Sequence, residues 1–229
     1  MSFWEVTKEL LTGFESTLLL FFLTLFLSLP LGLIFAFGSR SKIAVIRWPV
    51  RTFVYIIRGT PLMLQLLVLT LGPGILFGPQ NAITRWEVFN GNVKVAYFVG
   101  ALIAFVINYA CYFSEIYRGG IDNIPKGQWE AGQVLGMTKS QVFFKVILLQ
   151  VFKNILAPIS NETVTLVKDT SLANIVSVAE IIYAANRIAG KYALVWPLFY
   201  TGAFYLVFNF LVTFFFNYLE KRMAKYRMD

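Results

Sequence analysis

Five long apolar stretches alternate with shorter polar ones along this chain, and the alternation predicts helices that cross a lipid bilayer. A spanning helix needs about 20 mostly apolar residues. On that measure the spans fall at about 17–37, 60–77, 95–115, 142–167 and 197–218. The first is interrupted only by Thr24, Ser28, Pro30 and Gly32, and the second is closed by the breakers Gly72-Pro73-Gly74 and Gly78-Pro79. Between them Arg40, Lys42, Arg47, Arg51 and Arg58 lie in a polar connector that contains no acid. Residues 80–94 read as a loop, and 168–192 as an amphipathic, semi-polar stretch. The first apolar block is too long for a secretory h-region and follows an acid-rich N-terminus, so it is expected to stay as an anchor.

The connector at about 118–141 is the longest markedly polar insert between two apolar blocks, and its local chemistry predicts that it is folded. Pro125 suits a first helical turn after Asp122-Asn123, and Gly136 suits the end of the helix carrying Glu130. Thr138 has Gln141 three residues on, a capping-box spacing that starts a second helix. The reading is a short surface helix, a sharp corner, and a helix that returns to the membrane.

Composition agrees with the pattern. Of 229 residues, 58% are hydrophobic and 14% charged, and the mean hydropathy is +0.67. Soluble domains run about 25% charged. Histidine is absent, which removes histidine-based acid–base, triad and zinc chemistry, and the lone Cys111 excludes an internal disulfide. No bound metal and no cofactor on this chain is expected. The net charge of +8 is read as loop charge that sets topology, with membrane lipid rather than nucleic acid as its surroundings.

Alternating the connectors between two sides lets the charges choose the orientation. One side holds Arg40, Lys42, Arg47, Arg51, Arg58, Arg118, Lys126, Lys139, Lys145, Lys153 and the tail residues Lys221, Arg222, Lys225 and Arg227. The other holds Lys8, Arg85, Lys94, Lys168, Arg187 and Lys191. The fourteen mark the cytosolic side against the six, so the N-terminus is outside, the C-terminus inside, and the 118–141 connector cytosolic.

The fourth span differs from the rest. At 100° per residue, Gln150, Asn154, Pro158, Asn161, Thr165, Lys168 and Asp169 share one face, with Glu162 at its edge. Polar residues at depth face a cavity or a partner helix. Pro158 leaves the Asn154 carbonyl without its helical donor, so a kink is expected there. Glu162, about midway along, suits a cationic group or an ion pair. Lys168 and Asp169 are placed near the outer interface. Small residues on the third span, Ala96, Gly100, Ala104, Asn108 and Cys111, predict close helix packing, as do Thr17, Thr24 and Ser28 on the first.

Three motifs carry a family resemblance. Glu130-Ala131-Gly132, three residues, Gly136, nine residues, then Val146-x-Leu148-Leu149 resembles the E-A-A…G…I-x-L-P loop of permease subunits in binding-protein-dependent ABC importers. Arg58-Gly59-Thr60-Pro61-Leu62 leading to Gln65, and Asn161-Glu162 followed by Lys168-Asp169-Thr170-Ser171-Leu172, resemble that family's polar amino-acid uptake branch. The chain departs from the pattern at Gly132, Val146 and Leu149. Gly132 is expected to weaken the short helix by up to about 1 kcal/mol relative to alanine, and Leu149 to leave the backbone bonding of the fourth helix intact.

The resemblance implies an all-α integral membrane permease of the type I importer kind: a single transmembrane domain over 1–229 with five core helices and a cytosolic coupling helix. Glu130, Ala131, Gly132 and Gly136 would couple to cytosolic ATPase subunits, which would carry the ATP and Mg. Glu162, Asn161, Asn154, Gln65 and Thr165 would line the substrate pathway. An external amino-acid-binding protein and a second permease, identical or not, complete the expected set of partners. The chain has no G-x-x-x-x-G-K-[ST] phosphate loop, so ATP-driven work belongs to another chain. An ATP-independent channel or secondary transporter is the alternative reading.

Overall fold

The computed structural model describes residues 1–85 and 87–224, and Lys225 and Arg227 of the tail lie outside them. Among the described residues the regular elements are all helical. In order they are α1 (Phe3–Ser39), α2 (Ala44–Gly59), α3 (Leu62–Leu76), short 3-10 turns, α4 (Val93–Asp122), α5 (Lys126–Val134), α6 (Lys139–Val142), α7 (Leu148–Asp169), α8 (Ile181–Tyr192) and α9 (Trp196–Ala224). A single wide π turn, Phe143–Ile147, joins α6 to α7 as one rod. Four stretches are each long and apolar enough to cross a membrane: Phe3–Ser39, Val93–Asp122, Lys139–Val176 and Trp196–Met223. The pair α2 and α3, bent by 104°, is the fifth candidate.

That bent pair corrects the expected connector and second span. The basic stretch is helical: Arg47, Arg51 and Arg58 fall within an arc of about 40° on α2, with Val45, Pro49 and Ile56 opposite them. Reading it by charge alone hid a helical period. The span expected at 60–77 holds only the 15 residues of α3, about 22 Å of rise against a hydrocarbon core of about 30 Å.

The centre is the contact of α1 with α4, where small residues bring backbones together. A Cβ on Gly32 would lie 2.9 Å from the Ala110 carbonyl oxygen and 2.9 Å from Phe113 Cβ. Ala96, Gly100, Ala104, Asn108 and Cys111 are all buried on α4, and Thr17, Thr24 and Ser28 on α1. Packing is the role expected of both stripes. Phe21, Phe105, Tyr109 and Phe113 fill the space between them.

At the outer end α8 closes over α1 and α9. Gly13 sits 3.0 Å, measured from a built Cβ, from Ala184 Cβ, the Glu180 carbonyl oxygen and Ile181 Cα. The Ile181 amide donates to Thr17 Oγ1 at 3.2 Å. Glu180 caps α8, accepting from the Ile182 and Tyr183 amides at 2.8 and 2.7 Å, and the Tyr205 hydroxyl donates to it at 3.4 Å. Its side chain is fully buried, and that burial pushes the carboxyl up to about 7 against the pull of its donors.

The inner end is tied by charge. Arg40 at the end of α1 pairs with Asp122, Arg118 bridges Asp122 at 3.3 Å and Glu115 at 2.6 Å, and Arg58 of α2 lies 3.6 Å from Glu115. These groups are partly exposed, so each pair alone contributes about 1 kcal/mol or less.

Candidate functional site

The α2–α3 corner is built from Gly59-Thr60-Pro61. Thr60 and Pro61 take extended backbone angles that stop one helix and start the next, as a residue before proline favours. Gln65 braces this corner: its amide nitrogen donates to the Ile57 and Thr60 carbonyls at 2.7 and 3.1 Å and to Thr60 Oγ1 at 2.8 Å. Its amide oxygen accepts from Asn108 at 3.0 Å. One end of Gln65 is thus held within the corner and the other by α4, a bracing role that the expected place in the pathway did not include. What the brace positions is Arg58, in the last turn of α2. Its guanidinium stacks over the Tyr112 ring at 5.1 Å, and the Tyr112 hydroxyl donates to its carbonyl at 3.4 Å.

The polar face of α7 carries the remaining candidate residues. Val151, Ile155, Ser160, Thr163, Leu166 and Val167 are buried, so the other face, carrying Asn154, Asn161 and Thr165, is left exposed with Glu162 half-buried beside it. Helicity persists through Pro158. Asp169 accepts from the Tyr109 hydroxyl at 2.7 Å, which holds it to α4. Sequence reading had assigned it only to the interface. Glu162 lies seven residues earlier, two turns along α7 on nearly the same side.

These contacts form a continuous run. Arg58 rests on Tyr112, the Tyr112 ring lies 6.4 Å from that of Tyr109, and Tyr109 bonds Asp169. The result is a line of contacts along α4 with a cation at one end, a carboxylate at the other, and tyrosine rings between. Tyr109, Tyr112 and the role of Arg58 went unread in the sequence because their partners lie tens of positions away.

The cytosolic loop is as local chemistry predicts. Pro125 is the N-cap of α5, and Gly136, at φ +73°, turns the chain with Met137 N donating to the Gly132 carbonyl at 3.1 Å. Thr138 and Gln141 form both halves of a capping box. Glu130 and Ala131 face solvent, while Gly132 is buried. A Cβ on Gly132 would lie 2.5 Å from Val142 Cγ2, so this glycine seats α5 directly on α6, correcting the expectation that it loosens the helix. Trp129 stacks on Phe143 at 6.3 Å, and Gln150 donates to Gln128 at 3.2 Å. Val134 and Leu135 are 87% and 79% exposed at the tip of this otherwise polar loop. Sequence reading passed over them, although two adjacent apolar residues beside the corner glycine were the available signal.

Residues 28–225 match the family described as binding-protein-dependent transport system inner membrane component. The chain belongs to that family. It is 36% identical to the L-cystine transport system permease protein TcyB of Bacillus subtilis, over 98% of this chain and 89% of that one. It is 29% identical to the arginine ABC transporter permease protein ArtQ of Escherichia coli, over 88% and 89%. Its structure resembles that of an amino acid ABC transporter crystallised with histidines, with a TM-score of 0.83 at 28% identity and 95% coverage of both chains. It also shares the fold of the inward-facing MetNI methionine ABC transporter, with a TM-score of 0.73 at 17% identity and coverage of 97% and 99%. The chain is thus a membrane-embedded permease with a type I importer fold, working in a system that includes an ATPase and a substrate-binding component. That membership displaces the reading of an ATP-independent carrier.

Proposed function

We propose that the chain moves a polar amino acid inward across the membrane, Arg58 receiving its carboxylate and Glu162 with Asp169 receiving a cationic group. Asn154, Asn161 and Thr165 line the pathway below and beside the acids. The observation that carries this reading is the run of contacts along α4 that ends in a cation at Arg58 and a carboxylate at Asp169. The amino-acid transport named for the relatives supports it.

Energy enters at α5. ATP and Mg bind on the separate ATPase, whose surface receives Glu130 and Ala131, with Val134 and Leu135 as apolar anchors. Gly132 and Gly136 shape the joint, and the rod from Lys139 to Asp169 carries the motion to Glu162 as a rigid body. The exposed polar face of α7 is costly against hydrocarbon, which favours a second permease facing it across a shared pathway. An external amino-acid-binding protein delivers cargo to the outer end.

Uptake of labelled L-cystine and L-arginine into proteoliposomes holding the permease, its ATPase and its binding protein tests the reading. Glu162→Gln should lower uptake about ten- to a hundredfold, the range of one charge-assisted hydrogen bond. Undiminished uptake would remove Glu162 from the pathway. Leu135→Asp should prevent the ATPase from co-purifying, and retained assembly would discard the anchor role.

A further inference from the structure

We propose that Glu115 occupies, in the unloaded permease, the place of the cargo's carboxylate on Arg58, and that arriving cargo displaces it. This rests on the amino-acid reading above. Arg58 has two neighbourhoods. On one side lies the Tyr112 ring, leading through Tyr109 to Asp169. On the other is a cavity of about 330 Å³ lined by Arg51, Val54, Tyr55, Arg58, Glu115 and Arg118.

Glu115 is held unequally. Its Oε2 lies 2.6 Å from an Arg118 terminal nitrogen but 3.6 Å from Arg58, and its Oε1 accepts from Arg118 Nε at 3.1 Å. Arg118 therefore grips both oxygens in the fork geometry a guanidinium favours, while Arg58 touches only one, and loosely. Releasing Arg58 leaves Glu115 paired, so no charge is stranded. Arg58 in turn keeps its place through Tyr112, with donors open for a new carboxylate. The exchange swaps one carboxylate for another on the Arg58 guanidinium, while Glu115 stays paired with Arg118.

The cavity beyond gives the displaced arrangement a direction. The Nε of Arg51 is committed to the Ser39 carbonyl at 2.9 Å, and its terminal amines have no acceptor among the described residues. A carboxylate leaving Arg58 inward meets Arg51 next. Glu115 thus acts through Arg58 as a positioning residue that keeps the empty site closed from within.

The test uses the permease with its ATPase in nanodiscs without nucleotide. The probe is whichever of the common amino acids and L-cystine the wild type binds most tightly, compared with the amide of that same compound, which lacks the carboxylate. Glu115→Gln should tighten binding of the acid up to about fivefold, by removing a competing ion pair, and leave the amide unchanged. Glu115→Asp, which keeps the charge, should return most of the wild-type affinity, and Arg58→Gln added to Glu115→Gln should erase the gain. No gain, or an equal gain for acid and amide, overturns the role of Glu115 while leaving the amino-acid reading intact. A wild type that binds none of the probes overturns both.

Discussion

The two ends of this permease are closed by different physics. Outside, α8 is pressed onto α1 and α9 by Gly13, Ala184 and Ile181, with a capped and buried Glu180 at the joint. Inside, α1, α2 and α4 are linked by partly exposed arginines and carboxylates. Close packing tolerates little displacement, because contact energy falls within a fraction of an ångström. Ion pairs in partly wetted surroundings exchange partners at small cost. The outer end is therefore built to stay as it is, and the inner end to rearrange.

Four substitutions probe that contrast, from the largest effect to the smallest. Gly13→Leu drives a side chain into backbone atoms of α8 and should lower stability by about 3 kcal/mol, read as a clear fall in melting temperature of the purified complex. A loss under about 1 kcal/mol would mean that α8 is loosely seated.

Glu180 makes the outer end sensitive to acidity. Its folded carboxyl is raised to about 7 from an ordinary 4.5, so its stabilising contribution is complete below 4.5 and is lost as pH rises through 7. Between those limits the wild type should lose on the order of 2 kcal/mol. Glu180→Gln should flatten that dependence in melts taken from pH 4.5 to 8, and a curve parallel to the wild type would refute the assignment.

Gly132→Ala should cost about 1–2 kcal/mol through its clash with Val142 and weaken cargo-stimulated ATP hydrolysis. Val142→Ala in the same chain should recover part of that stimulation, and a strictly additive pair would deny the contact. Arg40→Gln, at the inner end, should change stability by less than about 1 kcal/mol. Comparing its melts in low and high salt checks that this small difference is electrostatic.

How much of this was legible in the sequence follows from the reach of each interaction. The corner at Gly136 and the capping box at Thr138 and Gln141 were readable because every partner lies within a few residues. The buried stripe of Ala96, Gly100 and Ala104 was readable from helical period. The brace at Gln65 went unread because Asn108, which fixes it, lies 43 positions away. Gly132 was misread for the same reason: intrinsic propensity counts against a helical glycine, and only the approach of Val142 explains it. The helix α2 was missed because five basic residues suggested a solvated connector, although three of them lie on one narrow face.

The π turn at Phe143–Ile147 sets the phase between α5 and the polar face of α7. Val142 and Gln150 are eight residues apart, so an unbroken α-helix would turn them about 80° from each other. One additional residue in a wide turn takes back about 100°, which brings both round to α5, where Val142 meets Gly132 and Gln150 meets Gln128. A lineage that lost a single residue here and closed the turn into ordinary α-helix would keep that phase, because the lost residue and the lost wide turn cancel. A helix that closed the turn without losing a residue would instead swing its Asn154–Asn161–Thr165 line about 100° relative to α5, like a gear remounted one tooth out of step.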